Sequence, residues 1–300
     1  MIFKQIAFPL LAVLIWAINT NVNKLAAGII DPAAISFYRW LLAAVLLSLF
    51  VSVPVWRARR QVWPLLPKFF VLGVLGMVLY QCLAYVAAAT TSATHMGIVA
   101  SLMPVLAMTL GVLFLGEALS IGALLGAVLS LAGLIYLMSA GAPLSLLSGG
   151  VAVGDGLMLL ASFAYAAYSV LLKRWNISLP LWHSLFMQIS CALPVLLAYY
   201  LIQGAPPLTR AGLPLVLFAG IPASVLAPFL WMLGVARLGP ARTTMLMNLL
   251  PVFTVLIAVV FLGEYLHGYD LIGSALTLAG VLLAQSLRQP VSALFRGKLA

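Results

Sequence analysis

The feature that most constrains this chain is an internal repeat. Aligned without a gap, residues 102–133 match residues 249–280, 147 positions later, at 15 of 32 positions. Chance explains leucine and valine matches between apolar segments. It does not explain a matched Phe-Leu-Gly-Glu block together with a matched proline and two matched glycines. The chain is therefore a tandem duplication, and duplicated units are common among membrane transporters.

Composition places the duplicated unit in a membrane. Of the 300 residues, 65% are hydrophobic and 7% are charged, and the mean hydropathy is +1.21. Soluble domains carry about 25% charged residues. The net charge of +10 could suggest nucleic acid, but the basic residues are spread through short segments between apolar runs, so we predict no nucleic-acid partner.

The apolar runs predict an all-α integral membrane protein with ten transmembrane helices, since a crossing helix needs about 20 apolar residues. Residues 1–145 and 146–300 each hold five of them, within one membrane domain. An odd number of crossings inverts the second half, so we expect two inverted repeats around a central cavity. The predicted spans are 6–27, 33–54, 66–88, 93–114, 120–139, 154–173, 180–202, 212–235, 240–262 and 268–287.

Lysine and arginine counts predict the orientation. Twelve lie at the termini and even-numbered loops, and three (Lys24, Arg39 and Arg210) lie on the opposite side. Cytoplasmic loops are enriched in these residues. We therefore expect both termini on the cytoplasmic side of a bacterial inner (plasma) membrane. Lys24, Arg39 and Asp31 cluster near the outer ends of spans one and two. They either pair with one another or meet a carboxylate, or the basic side chains extend toward the interface, which is the interpretation we favour.

Prolines and glutamates mark the repeated block. Pro104 and Pro251 fall inside spans four and nine, where a proline bends a helix; the bends either shape a cavity or serve packing. Pro222 and Pro228 are further candidates for bending or gating in span eight. Glu117 and Glu264 follow these spans, and we interpret them as caps of the next helices rather than transport groups.

Mid-span polar and aromatic residues are the candidates for a substrate pathway, because polar groups in hydrocarbon face the bundle interior. Some of them instead bridge helices. The candidates are Trp16, Asn19, Tyr80, Tyr85, His95, Ser101, Phe163, Tyr165, Tyr168, Trp231 and Asn248.

Catalytic and cofactor motifs are missing from the sequence. It has five acidic residues, all near predicted span ends, and no nucleophile elbow, zinc-protease motif or P-loop. We therefore predict neither an enzyme, nor a catalytic residue, nor a metal or other cofactor.

The motifs resemble the drug/metabolite transporter superfamily, in particular its ten-helix EamA-type exporters. The resemblance is carried by Trp-Ala-x-Asn at 16–19, Tyr-Arg-Trp at 38–40, the repeated Pro-Val-x8-Phe-Leu-Gly-Glu at 104–117 and 251–264, and Leu-Gly-Pro-Ala at 238–241. It implies that spans one to four and six to nine enclose a pathway. Within the family the chain looks most like YddG-type exporters of aromatic and other apolar amino acids.

We therefore expect export of apolar, aromatic or small neutral amino acids and related metabolites by alternating access, with membrane lipids around a unit for which a monomer suffices. One alternative is efflux of lipophilic drugs or cations. Small multidrug transporters use a glutamate in the first helix, which has no acid here. The alternative from another class is a non-catalytic scaffold, or an intramembrane enzyme, with the glycine face of spans five and ten as a partner surface.

Overall fold

The computed structural model describes residues 2–26, 29–88, 90–91, 93–148, 152–262, 265–287 and 289. Within them the fold is nearly all helical, and ten helical segments are long and apolar enough to cross a membrane, which confirms the predicted ten-span fold. They are Gln5–Val22, Pro32–Arg57, Arg59–Ala84, Met96–Leu115, Ile121–Met138, Val153–Trp175, Leu181–Ile202, Leu213–Leu238, Pro240–Phe261 and Gly268–Ser286.

Fifteen α-helices build these spans in the described ranges. In order they are α1 Ile2–Ala26, α2 Pro32–Arg57, α3 Arg59–Val62, α4 Leu66–Gly73, α5 Tyr80–Ala88, α6 Ala93–Ala100, α7 Met103–Leu115, α8 Ile121–Met138, α9 Val153–Trp175, α10 Leu181–Ile202, α11 Leu213–Gly220, α12 Ala227–Leu238, α13 Pro240–Met245, α14 Leu249–Leu262 and α15 Gly268–Ser286.

Four spans are interrupted, and they are related by the repeat. Spans three and eight each contain a π-helical segment, Val74–Leu79 and Pro222–Leu226. Span four breaks at a turn over residues 101–102, and span nine contains the 3-10 turn Leu246–Asn248. Irregular backbone at membrane depth is tolerated where it is buried in protein or lines a polar cavity. The interruptions therefore suggest where a pathway lies.

The prolines stand at these interruptions rather than inside bent helices. Pro104 is the second residue of α7 and Pro251 the third of α14, so each begins a new helix. A proline in the first turn leaves no helical hydrogen bond unmade, because those backbone N–H groups have no partner within the helix. The predicted bend is thus a break just before each proline. Pro222 opens the π segment of span eight, and Pro228 is the second residue of α12.

The glycines of spans five and ten bring α8 and α15 into backbone contact. A Cβ atom built on Gly126 would lie 2.4 Å from the carbonyl oxygen of Gly280, and one on Gly280 would lie 2.6 Å from that of Gly126. A side chain on either residue would therefore separate the helices. The glycine face is filled inside the protein, so it is not available as the partner surface considered for a scaffold.

Candidate substrate cavity

A cavity of about 240 Å³ lies among the interrupted spans. Its wall comes from α1, α2, α5, α9, α12 and α14, both π segments, and the 3-10 turn of span nine. The residues that line it are Trp16, Asn19, Thr20, Arg39, Trp40, Gly76, Met77, Tyr80, Gln81, Ala84, Tyr165, Tyr168, Ala223, Pro228, Met247 and Leu250. Five of the predicted pathway residues (Trp16, Asn19, Tyr80, Tyr165 and Tyr168) thus meet around one space, and the predicted bending residue Pro228 borders it too.

An aromatic cluster centred on Tyr165 forms one side of the cavity. Its ring centroid lies 5.2 Å from that of Tyr80, 5.4 Å from Tyr168, 5.5 Å from Trp231 and 6.2 Å from Trp16. Tilted and edge-on pairs at such distances are favourable. The cluster therefore gives the cavity a firm apolar face.

Trp231 belongs to this cluster but not to the cavity lining. Its side chain is fully buried, and its indole Nε1 donates to Ser169 Oγ at 3.2 Å. Its ring lies 5.4 Å from that of Trp16, so it supports the cavity wall from behind.

Both π segments position aromatic side chains of the wall. Trp16 Nε1 donates to the carbonyl oxygen of Ala223 at 3.0 Å. A Cβ atom on Gly76 would lie 2.9 Å from the ring of Tyr168, so this glycine makes room for the tyrosine. Single π turns occur often at functional sites, where they redirect backbone groups.

Arg39 lies deeper in the protein than the favoured interpretation of the sequence placed it. Its side chain does not extend to the interface: Arg39 is 5% exposed and lines the cavity. Its Nε donates to Ser224 Oγ at 2.7 Å, and its guanidinium carbon lies 5.6 Å from the ring centroid of Trp40. Arg39 is the eighth residue of α2, about 10 Å along the axis from Pro32 at 1.5 Å per residue. The distance of Arg39 from the start of its span can be counted in the sequence, and it indicated a position inside the membrane rather than at the interface.

The other polar candidates divide between two spaces. Asn19 faces the main cavity, and its buried Oδ1 has no hydrogen-bond partner among the described residues. Ser101, Asn248 and Pro251 line a neighbouring cavity of about 60 Å³, which shares Tyr80 with the main one. Asn248 Nδ2 donates to Ser130 Oγ at 2.8 Å, so this residue bridges spans nine and five.

Phe163 does not meet the other candidates. Phe163 is 44% exposed on the outer surface of α9 and lines neither cavity. The side chains of Tyr85 and His95 lie outside the described part of the structure.

Glu117 does not cap the next helix. The N-cap of α8 is Ser120, whose side chain accepts from the backbone N–H of Ala123 at 3.1 Å. Glu117 instead approaches the end of its own helix: a Cβ atom on Gly111 would lie 3.0 Å from its Oε2. Burial raises the pKa of the Glu117 carboxyl, although Lys173 and Arg242 act in the opposite direction.

The second glutamate of the repeat, Glu264, lies outside the described residues. The cap of the helix that follows it is nevertheless visible. Asp270 Oδ2 accepts from the backbone N–H of His267 at 2.8 Å, at the start of α15.

Comparison with known proteins gives a consistent result. The EamA-like transporter family matches residues 4–139 and again residues 152–285. An "uncharacterized transporter" of Archaeoglobus fulgidus is 30% identical, over 91% of this chain and 94% of its own. A "probable amino-acid metabolite efflux pump" of Salmonella typhimurium is 26% identical, over 91% of each chain. A "probable terminal-alkyne amino-acid exporter" of Streptantibioticus cattleyicolor is 24% identical, over 93% of each.

The fold is also found among solved structures. A crystal structure that is 23% identical in sequence matches 99% of both chains with a TM-score of 0.71. At this identity the match shows the fold alone.

Ten apolar helices, six of which line an aromatic cavity, together with the family match define the protein as a multi-pass membrane transporter. More particularly, the chain belongs to the EamA-like transporter family over nearly its whole length, which confirms the resemblance. The relatives named above are transporters and exporters rather than enzymes, in agreement with the sequence prediction.

Proposed function

We propose that the protein exports apolar, aromatic or small neutral amino acids and related metabolites across the bacterial inner membrane. The observation that carries this proposal is the main cavity, with its aromatic face and buried arginine. Its volume of about 240 Å³ is below the ~300–1,000 Å³ typical of sites for drug-sized ligands. Such a space suits an amino acid.

The charge of the lining favours this substrate class over lipophilic cations. Arg39 contributes a positive charge, and none of the described residues that line the cavity is acidic. A cation in this space would meet the like charge of Arg39. A zwitterion or a carboxylate suits the lining better, and two relatives are named for amino-acid or amino-acid-metabolite transport.

The proposed mechanism is alternating access between two inverted halves, residues 1–145 and 146–300, with both termini in the cytoplasm. It is supported by the repeat and by the interruptions at matching places in spans three and eight and in spans four and nine. Discontinuous helices near the substrate site are typical of transporters built from inverted repeats.

The test is flux of labelled phenylalanine, methionine and threonine in proteoliposomes, with a matched pair of variants. Tyr80 borders the cavity, so Tyr80→Ala should reduce flux. Phe163→Ala removes an aromatic ring from the outer surface and should retain flux close to that of the wild type. Trp231 is unsuitable for this test, because its truncation would damage the core.

Protein-dependent flux that is lost in Tyr80→Ala and kept in Phe163→Ala supports the proposal. If the wild type transported lipophilic cations but none of the three amino acids, the result would support efflux of lipophilic drugs or cations instead. Equal flux in both variants would contradict a pathway through this cavity.

A further inference from the structure

Arg39 carries a charge at a depth where charge is costly. Arg39 is 5% exposed and lies about two helical turns from the start of α2. Ionisable residues inside membrane spans are rare, face the bundle interior and mark substrate pathways. Arg39 borders the main cavity, so a substrate there lies beside a guanidinium group.

The surroundings fix the orientation of this guanidinium. Its Nε donates to Ser224 Oγ at 2.7 Å, and Ser224 Oγ donates to the carbonyl oxygen of Ala219 at 2.8 Å. Trp40, which flanks the group, donates from its Nε1 to Gln81 Oε1 at 3.3 Å. The π segment of span eight thus holds the group, and Trp40 of span two flanks it.

Arg39 and the aromatic cluster border the same cavity. A planar guanidinium matches a carboxylate in geometry and charge, whereas the rings of Trp16, Tyr80 and Tyr165 suit an apolar side chain. We propose that Arg39 binds the carboxylate of the transported molecule and so makes the cavity selective for carboxylates over amines. This inference rests on the proposed function, since it names the residue that recognises the substrate class.

The experiment compares two molecules that differ by one carboxylate. Flux of labelled phenylalanine and of phenethylamine is measured in proteoliposomes for the wild type and Arg39→Gln. Loss of a hydrogen bond to a charged group corresponds to a factor of roughly ten or more, so phenylalanine flux should fall by that factor. Phenethylamine flux should stay constant or rise, because a like charge has been removed. The ratio of the two fluxes is the readout.

Arg59→Gln is the matched control. Arg59 also lies over a tryptophan ring, with its guanidinium carbon 5.3 Å from the centroid of Trp56, but it is exposed and outside the cavity lining. This variant should keep the wild-type ratio. A purely structural role of Arg39, as a link to Ser224, would lower both fluxes by the same factor, and that result would overturn the inference.

A second measurement needs no variant and covers the case in which Arg39→Gln does not fold. Unlabelled 3-phenylpropionate and phenethylamine compete with labelled phenylalanine for the wild-type protein. The carboxylate should inhibit at a concentration at least about ten-fold lower than the amine. Equal inhibition by both compounds would overturn the inference while leaving amino-acid export intact. Absence of any wild-type amino-acid flux would overturn the proposed function and this inference together.

Discussion

The close approach of α8 and α15 can be tested by adding a single methyl group between the two helices. A Cβ atom on Gly126 would lie 2.4 Å from the backbone oxygen of Gly280 and 2.8 Å from the Cβ atom of Ala284. Neither neighbour is the end of a flexible side chain, so Gly126→Ala must push the helices apart. Overpacking of this kind costs about 1–3 kcal/mol. The same substitution gains about 0.8–1 kcal/mol of helix propensity, so the clash has to be separated from the gain.

Gly156 provides the matched control. It lies within α9, and a Cβ atom there would meet nothing within 4 Å. Gly156→Ala therefore gains the propensity without the clash. The two variants should differ in unfolding free energy by about 1–3 kcal/mol, with Gly126→Ala the less stable. Equilibrium unfolding in mixed detergent micelles measures the difference. Equal stability of the two variants would refute the close approach of α8 and α15.

Three further predictions concern caps, charge and the buried wall. Ser120→Ala should destabilise the protein by about 1 kcal/mol in the same unfolding assay, because it removes the cap of α8. An unchanged unfolding free energy would show that Ser120 does not cap this helix. Because burial raises the pKa of Glu117 above 4.5, the folded protein loses stability relative to Glu117→Gln as the pH rises through the raised pKa. The melting temperature of Glu117→Gln minus that of the wild type should therefore increase from acid to neutral pH, and a decrease would contradict the assignment. Trp231→Ala should cost about 3–5 kcal/mol, measured by unfolding, whereas the exposed Phe163 should tolerate alanine with a much smaller loss.

The ten spans were predictable because a membrane imposes a length on each apolar run. The capping residues were harder to predict, since the direction of a loop depends on backbone conformation. Gly116 ends α7 with a left-handed φ of 64°, and the chain then turns so that Glu117 faces back toward Gly111. Ser120 is left to cap α8. Sequence adjacency alone did not distinguish these two roles.

The separation of Phe163 from Tyr165 could be predicted from the sequence, whereas part of the position of Arg39 could not. Phe163 and Tyr165 are two positions apart on one helix, about 200° around its axis, so they cannot share a face. Tyr165 and Tyr168 are three apart and do share one. Arg39 is enclosed partly by α11, because Gly220 brings that helix close: a Cβ atom on Gly220 would lie 3.1 Å from the carbonyl oxygen of Arg39. Such tertiary packing leaves no local signal in the sequence.

The repeat extends into the walls of the cavity in a form that the sequence alignment does not reveal. Gly76 and Ala223 are 147 positions apart, the offset of the repeated block, and each lies in a π segment. Gly76, from the first half, contacts Tyr168 of the second half, and Ala223, from the second half, binds Trp16 of the first. Each half thus holds an aromatic side chain of the other. Under the proposed alternating access, a movement of one half against the other would shift Trp16 and Tyr168, both of which line the cavity. The cavity wall would then change shape as the halves move.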